Sequence, residues 1–133
     1  MTLTLERSTG GTERPLDAPM LTFDISALLT QVKQESAWQT GSRNGITLLK
    51  TRGLRVVLVA LHAGTMIPPH HAEGPITVQL LEGQLAFKAD RNDVTLVPGQ
   101  LLTLHSGIAH SLEAKEECAF LLTIATETRH PVE

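Results

Sequence analysis

The chain has 133 residues, 41% of them hydrophobic, which fits one globular domain with an apolar core and excludes a disordered polymer. Net charge is −3 and the Lys and Arg residues are scattered, so a nucleic-acid or acidic-membrane partner is excluded for want of a basic patch. A single cysteine, Cys118, excludes an intrachain disulfide, and no apolar run approaches the ~20 residues of a membrane-spanning helix.

Met1 to Thr12 is polar and lacks the pattern of a signal peptide, so a cytoplasmic protein is expected. Residues 1–20 read as an N-terminal arm, with Leu3 and Leu5 able to tie it down as a short strand. Residues 21–126 read as the domain and 127–133 as a polar tail. Phe23 to Ala37 has helical spacing: Asp24 is placed to cap it, and Ile25, Leu28, Leu29 and Val32 share a face. Trp38 is expected to cover one end of the domain. Gly41 to Gly45 reads as a loop.

Beyond Gly45 the period shortens to that of strands. Ile46–Thr51, Leu54–His62, Ile76–Glu82, Gln84–Ala89, Asp93–Val97, Gln100–His105, His110–Ala114 and Cys118–Ala125 are predicted strands. Arg52-Gly53, Pro68-Pro69, Gly83, Asp90-Arg91-Asn92, Pro98-Gly99 and Ser106-Gly107 are the turns between them. Short strands at this spacing predict an antiparallel sandwich or barrel with a short N-terminal helix. Arg55–Leu61 and Phe120–Ala125 are apolar on both faces. One face fills the interior; the other needs cover, from the N-terminal segment or from a partner subunit in a homodimer.

Two stretches carry the chemistry. Gly64 to Gly83 holds His70-His71 after Pro68-Pro69, and Gly99 to His110 holds His105 and His110. Adjacent strand residues face opposite ways, so one of His70 and His71 is the better inward ligand unless a bulge turns both. A hairpin over Ser106–Ala109 would set His105 across from His110. Imidazoles in this number suit a divalent transition metal such as Zn, Fe, Ni or Mn with open positions. Ile76, Val78, Leu80, Leu112, Leu122 and Ile124 read as interior core, and an apolar interior with few polar groups is also what a small-molecule pocket looks like. Cys118, beside Glu116-Glu117, reads as a packed residue rather than a nucleophile. His62 reads as a surface or interface residue.

In their spacing the two stretches resemble the paired motifs of the cupin superfamily. Gly64, five residues, then His70 matches the first motif, as does Gly83 at its close; Gly99, Gly107 and His110 match the second. The chain departs from the motifs at four positions. Ala72 stands at the second histidine counted from Gly64, with His71 fitting when counted back; Ile76 stands at the glutamate, His105 at the proline and Ala114 at the asparagine. The resemblance implies an all-β antiparallel double-stranded β-helix, a jelly-roll barrel. It also implies metal ligation by His70 or His71 together with His110, and a small-molecule ligand. With the carboxylate missing, His105, Gln79 and Glu73 are the candidates to replace it; Gln79 falls on the outer face of an ideal strand, and His105 is preferred. The reaction class stays open, and a non-catalytic sensor or binding module is the alternative.

Overall fold

Asp24 starts the first helix: its side chain accepts a hydrogen bond from the Ala27 amide at 3.2 Å. The computed structural model describes residues 14–126. Helices α1 (Ile25–Gln34) and α2 (Ser36–Thr40) stand where the spacing predicts one helix. The break falls at Glu35, whose backbone is extended at φ −80 and ψ 154. Its cause is distant in sequence. Asn44, fully buried, donates from Nδ2 to the Val32 carbonyl at 3.0 Å and to Glu35 Oε1 at 2.9 Å. A buried amide needs such partners, and it takes a carbonyl that the helix end leaves unsatisfied. Asn44 therefore lies in a strand, not in the loop expected at 41–45.

Nine strands follow among the described residues: β1 (Arg43–Lys50), β2 (Leu54–Leu61), β3 (Met66–His70), β4 (Ile76–Glu82), β5 (Leu85–Ala89), β6 (Asn92–Leu96), β7 (Leu101–Leu104), β8 (His110–Ala114) and β9 (Cys118–Ala125). They form two antiparallel sheets, β1-β2-β9-β4-β7 and β3-β8-β5-β6. β3 is unexpected, since it contains Pro68-Pro69. It is an edge strand, where a missing N–H breaks no ladder on the solvent side, and its pairing with β8 is irregular between Ile67 and His70.

The inner faces meet in one core. Val57, Val59, Val78, Leu80, Phe120 and Leu122 from the first sheet pack against Ile67, Leu85, Phe87 and Leu112 from the second. Gly83 makes the β4–β5 turn at φ +84, and a Cβ there would sit 2.1 Å from the Glu117 carbonyl oxygen. Cys118 is fully buried in this core, and burial, aided by Glu82 and Glu117, pushes its thiol up to about 12. It is a packed residue.

The outer faces of β1, β2 and β9 need no partner subunit for cover. Val32 and Trp38 from the helices pack there with Ile46, Leu48, Leu58, Ala60 and Ala119. Trp38 is thus part of this outer layer and does not cap an end of the domain. Its ring stacks on His62 with centroids 3.5 Å apart, and His62 Nε2 donates to the Trp38 carbonyl at 2.9 Å. His62 is accordingly a partly buried contact within the chain, not the surface or interface residue expected. Lys33 of α1 bonds Glu82 and, at 2.8 Å, Glu117, tying the helix to the end of β4 and to the β8–β9 turn. Before α1, Arg14 donates to the Thr47 carbonyl at 3.1 Å and the Lys50 amide to the Leu16 carbonyl at 2.8 Å, so residues 14–16 lie along the edge of β1. The strand expected around Leu3 and Leu5, the tail 127–133 and His130 fall outside the described residues.

Candidate functional site

His70 closes β3 and His110 opens β8. The antiparallel register sets them directly opposite, and cross-strand partners share a face. Their ring centroids are 4.3 Å apart with planes tilted by 60°. His110 is 4% exposed, and Phe87 from β5 lies nearly parallel to it at 5.3 Å.

Both rings are held in the same way. His70 Nδ1 lies 3.0 Å from the Pro68 carbonyl oxygen and His110 Nδ1 lies 2.9 Å from that of Ile108. A carbonyl only accepts, so in the neutral ring Nδ1 carries the hydrogen and Nε2 keeps its lone pair. A carbonyl that fixes the ring and its tautomer in this way is the usual support of a metal-binding histidine. In each case the carbonyl is two residues back: that of Pro68, within β3, for His70, and that of Ile108, just before β8, for His110.

Burial lowers the His110 pKa below its ordinary 6.5; the Ile108 carbonyl opposes this, and the charges of His70 and His71 add to it. In the metal-free protein the unfolded chain therefore binds a proton at His110 more readily than the folded one. Stability contributed by neutral His110 is full above about pH 6.5 and drains away as pH falls through the lower folded value. Urea midpoints between pH 5 and 8 are expected to fall on the acid side more steeply for the wild type than for His110→Gln. Parallel curves for the two proteins would contradict this.

The other expected residues lie elsewhere. His71 is exposed, one residue past the end of β3. His105 is exposed just after β7, on the opposite sheet from His110. The expected hairpin is absent: Ser106–Ala109 crosses between sheets, because β7 pairs with β4 while β8 pairs with β3 and β5. Gln79 is exposed on the outer face of β4, and Glu73 is exposed between β3 and β4. Ile76, at the motif's carboxylate position, is 4% exposed and packs in the inner core with Ala72, Leu104 and Ile124. Among the described residues no three of His, Cys, Asp and Glu come together as a metal-binding group.

The sequence reading missed two features. Arg55 alternates with Val57, Val59 and Leu61, and its cross-strand partner is the core residue Ile124, so the register puts it on the inner face. The missed signal was the arginine itself, at a position in step with core valines. The second is a cavity of about 220 Å³ lined by Phe87, Ala89, Asp90, Asn92, Val94, Leu102, Thr103, Leu104 and Ile108. It lies where the edge strands β6 and β7 of the two sheets face each other.

No family model and no curated relative matches the chain. Solved structures do. A conserved protein of unknown function from Streptococcus pyogenes superposes with a TM-score of 0.69 at 21% identity, over 91% of this chain and 100% of that one. A cupin-superfamily protein from Desulfitobacterium hafniense superposes with a TM-score of 0.62 at 16% identity, over 64% of this chain and 78% of its own. The chain has the cupin fold. A third match is a variant of salicylate 1,2-dioxygenase from Pseudoaminobacter salicylatoxidans, with a TM-score of 0.71 at 16% identity. It covers 89% of this chain but 38% of the larger enzyme.

The cupin motif positions imply a metal ion, and the histidine pair can be tested against one. Two imidazoles bonded to one zinc through Nε2 at ~2.0–2.1 Å would place their ring centroids about 5 Å apart. The observed 4.3 Å is shorter than that, so the rings offer two nitrogen donors that would have to part slightly to hold one ion between them. They do not make a complete protein cage, because the carboxylate position is filled by Ile76. No described helix is long and apolar enough to cross a membrane.

Proposed function

We propose that this chain is a small cupin-fold protein that binds a divalent transition metal through His70 and His110 and holds a small molecule beside it. The observation that carries the reading is the matched pair: two cross-strand imidazoles, each with Nδ1 tied to a backbone carbonyl and Nε2 left as a donor. When bound, the metal would supply Lewis acidity and a template for ligand oxygens. The chain's own part is to hold the donors. The Pro68 and Ile108 carbonyls fix the rings, Phe87 shields one face of His110, and the open pocket of about 580 Å³ that His110 lines with Pro69, Lys88, Asp90 and Ser111 receives the ligand's body. His71, next in sequence, is the reserve nitrogen; His105 and Gln79 are left out of this proposal by their exposure on the other sheet.

Ile76 favours a second reading, a binding or sensor module without turnover, since the site then lacks an anionic protein donor. A homodimer and a cytoplasmic location stay part of the proposal. Leu101, 59% exposed on β7, marks the part of the first sheet where a second copy would pack.

Metal analysis of the purified, untagged chain tests the reading. Wild type incubated with Ni²⁺ and desalted is expected to retain it, and His110→Ala to bind at least 100-fold more weakly while keeping its circular dichroism. Retention of metal by His110→Ala at wild-type affinity would overturn the assignment.

A further inference from the structure

The cavity of about 220 Å³ between the edge strands β6 and β7 is a space apart from the histidine pair: neither His70 nor His110 lines it. Its walls are mostly apolar, with Phe87, Val94 and Leu104 among them. The volume is roughly seven waters' worth at about 30 Å³ each, room for a six-membered carbon ring. The polar groups along it are Asp90, Asn92 and Thr103, so among the described residues the lining carries one negative charge and no positive one. The open pocket beside His110 differs in this respect, because Lys88 stands there with Asp90 and offsets it. No lysine or arginine forms a salt bridge with Asp90 among the described residues.

The backbone singles out the same residue. Asp90 and Arg91 form the two-residue loop of the β5–β6 hairpin, since Ala89 pairs with Asn92. Asp90 stands at φ 57, the one non-glycine residue at positive φ among the described residues. Glycine and asparagine adopt that conformation more readily, so the hairpin holds a carboxylate at the cavity where a neutral residue would fold at least as well. Backbone outliers of this kind gather at ligand sites.

We infer that this cavity is a binding site for a small organic cation, a primary ammonium on a compact apolar body. The body seats against Phe87, Val94 and Leu104. The ammonium has three N–H donors, and Asp90, Asn92 and Thr103 each offer an oxygen acceptor. Apolar walls alone do not choose among ligands of one size. The carboxylate does, because a cation gains a charge-assisted hydrogen bond there and an anion meets repulsion. The site is separate from the metal reading above and needs no metal.

An NMR titration of the amides of the full chain, kept in chelator, tests it with four probes. Benzylammonium has head and body, benzyl alcohol the body with a neutral head, benzoate the body with a negative head, and methylammonium the head alone. Benzylammonium is expected to shift the amides of Asp90, Val94 and Leu104 and to bind at least ~5-fold more tightly than benzyl alcohol, the scale of one hydrogen bond to a charged group. Benzoate and methylammonium should bind more weakly than either. Asp90→Asn keeps the shape and suits the positive φ, so the variant should fold as the wild type does and bind benzylammonium no better than benzyl alcohol. Val94→Phe fills the cavity from a position that is 43% exposed and should weaken benzylammonium and benzyl alcohol alike. Benzyl alcohol matching benzylammonium, or Asp90→Asn binding benzylammonium as the wild type does, removes the charge recognition and overturns the inference. Amide shifts confined to residues away from β6 and β7, or no shifts at all, overturn it as well. Because the chelator keeps metal out, none of these outcomes bears on the histidine pair.

Discussion

Ile76→Glu is expected to make the fold depend on metal. The position is 4% exposed and surrounded by Ala72, Leu104 and Ile124. A carboxyl group placed there without a partner should cost about 2–4 kcal/mol, the range for burying an unsatisfied polar group. With Ni²⁺ present the carboxylate gains a partner and the histidine pair gains an anionic donor, so much of that loss returns. The measurement is a pair of thermal melts, with Ni²⁺ and with a chelator. The variant should separate the two by at least ~5 °C, more than the wild type does, on the usual scale of a few degrees per kcal/mol. A variant whose melt ignores Ni²⁺ would place Ile76 out of reach of the pair.

The second large effect lies in the backbone. A Cβ on Gly74 would stand 1.5 Å from the Ala125 carbonyl oxygen, a contact no side-chain motion can relieve. The Ala125 amide bonds the Pro75 carbonyl at 3.0 Å and the Gly107 amide bonds the Ala72 carbonyl at 2.9 Å, so residues 72–75 are pinned on two sides. Gly74→Ala must part the end of β9 from this segment, at an expected cost above ~3 kcal/mol, the upper range for overpacking. Chemical denaturation measures it. Because the same segment runs from His70 to β4, Ni²⁺ retention should weaken in any fraction that folds. A loss under about 1 kcal/mol would mean that the two backbones separate easily.

Much of this architecture is legible in the chain because period-2 patterns and turn residues report burial directly. Eight of the nine strands follow from them; the motif spacing points to His70 or His71 together with His110, but it neither chooses between the two nor foresees the cross-strand register of His70 with His110. What escaped the reading depends on contacts distant in sequence. β3 was hidden because Pro68-Pro69 signals a turn everywhere except at a sheet edge, and only the topology makes it an edge. The break at Glu35 needs Asn44, nine residues on, to claim the Val32 carbonyl. His105 was assigned to a hairpin with His110 because four residues suit a hairpin loop; the same four residues also suit a passage between sheets. Local spacing does not distinguish these cases, since the choice rests on which strands β7 and β8 find as partners.

The position of β9 has a consequence for how the chain is made. It is the last of the described strands to be synthesised, yet it sits in the middle of the first sheet, between β2 and β4. Until it emerges from the ribosome, β2 and β4 have no neighbour in common, and one hydrogen-bonding edge of each stays unpaired. The pairing of residue 54 with residue 125 encloses every strand from β2 to β9 in one step, and such long-range closure is slow. Folding of this chain is therefore expected to wait for the end of the domain, with helix α1 formed early and holding its apolar side ready. A nascent chain arrested before Cys118 should be protease-sensitive throughout β2 and β4, and one extended past Thr126 should be resistant.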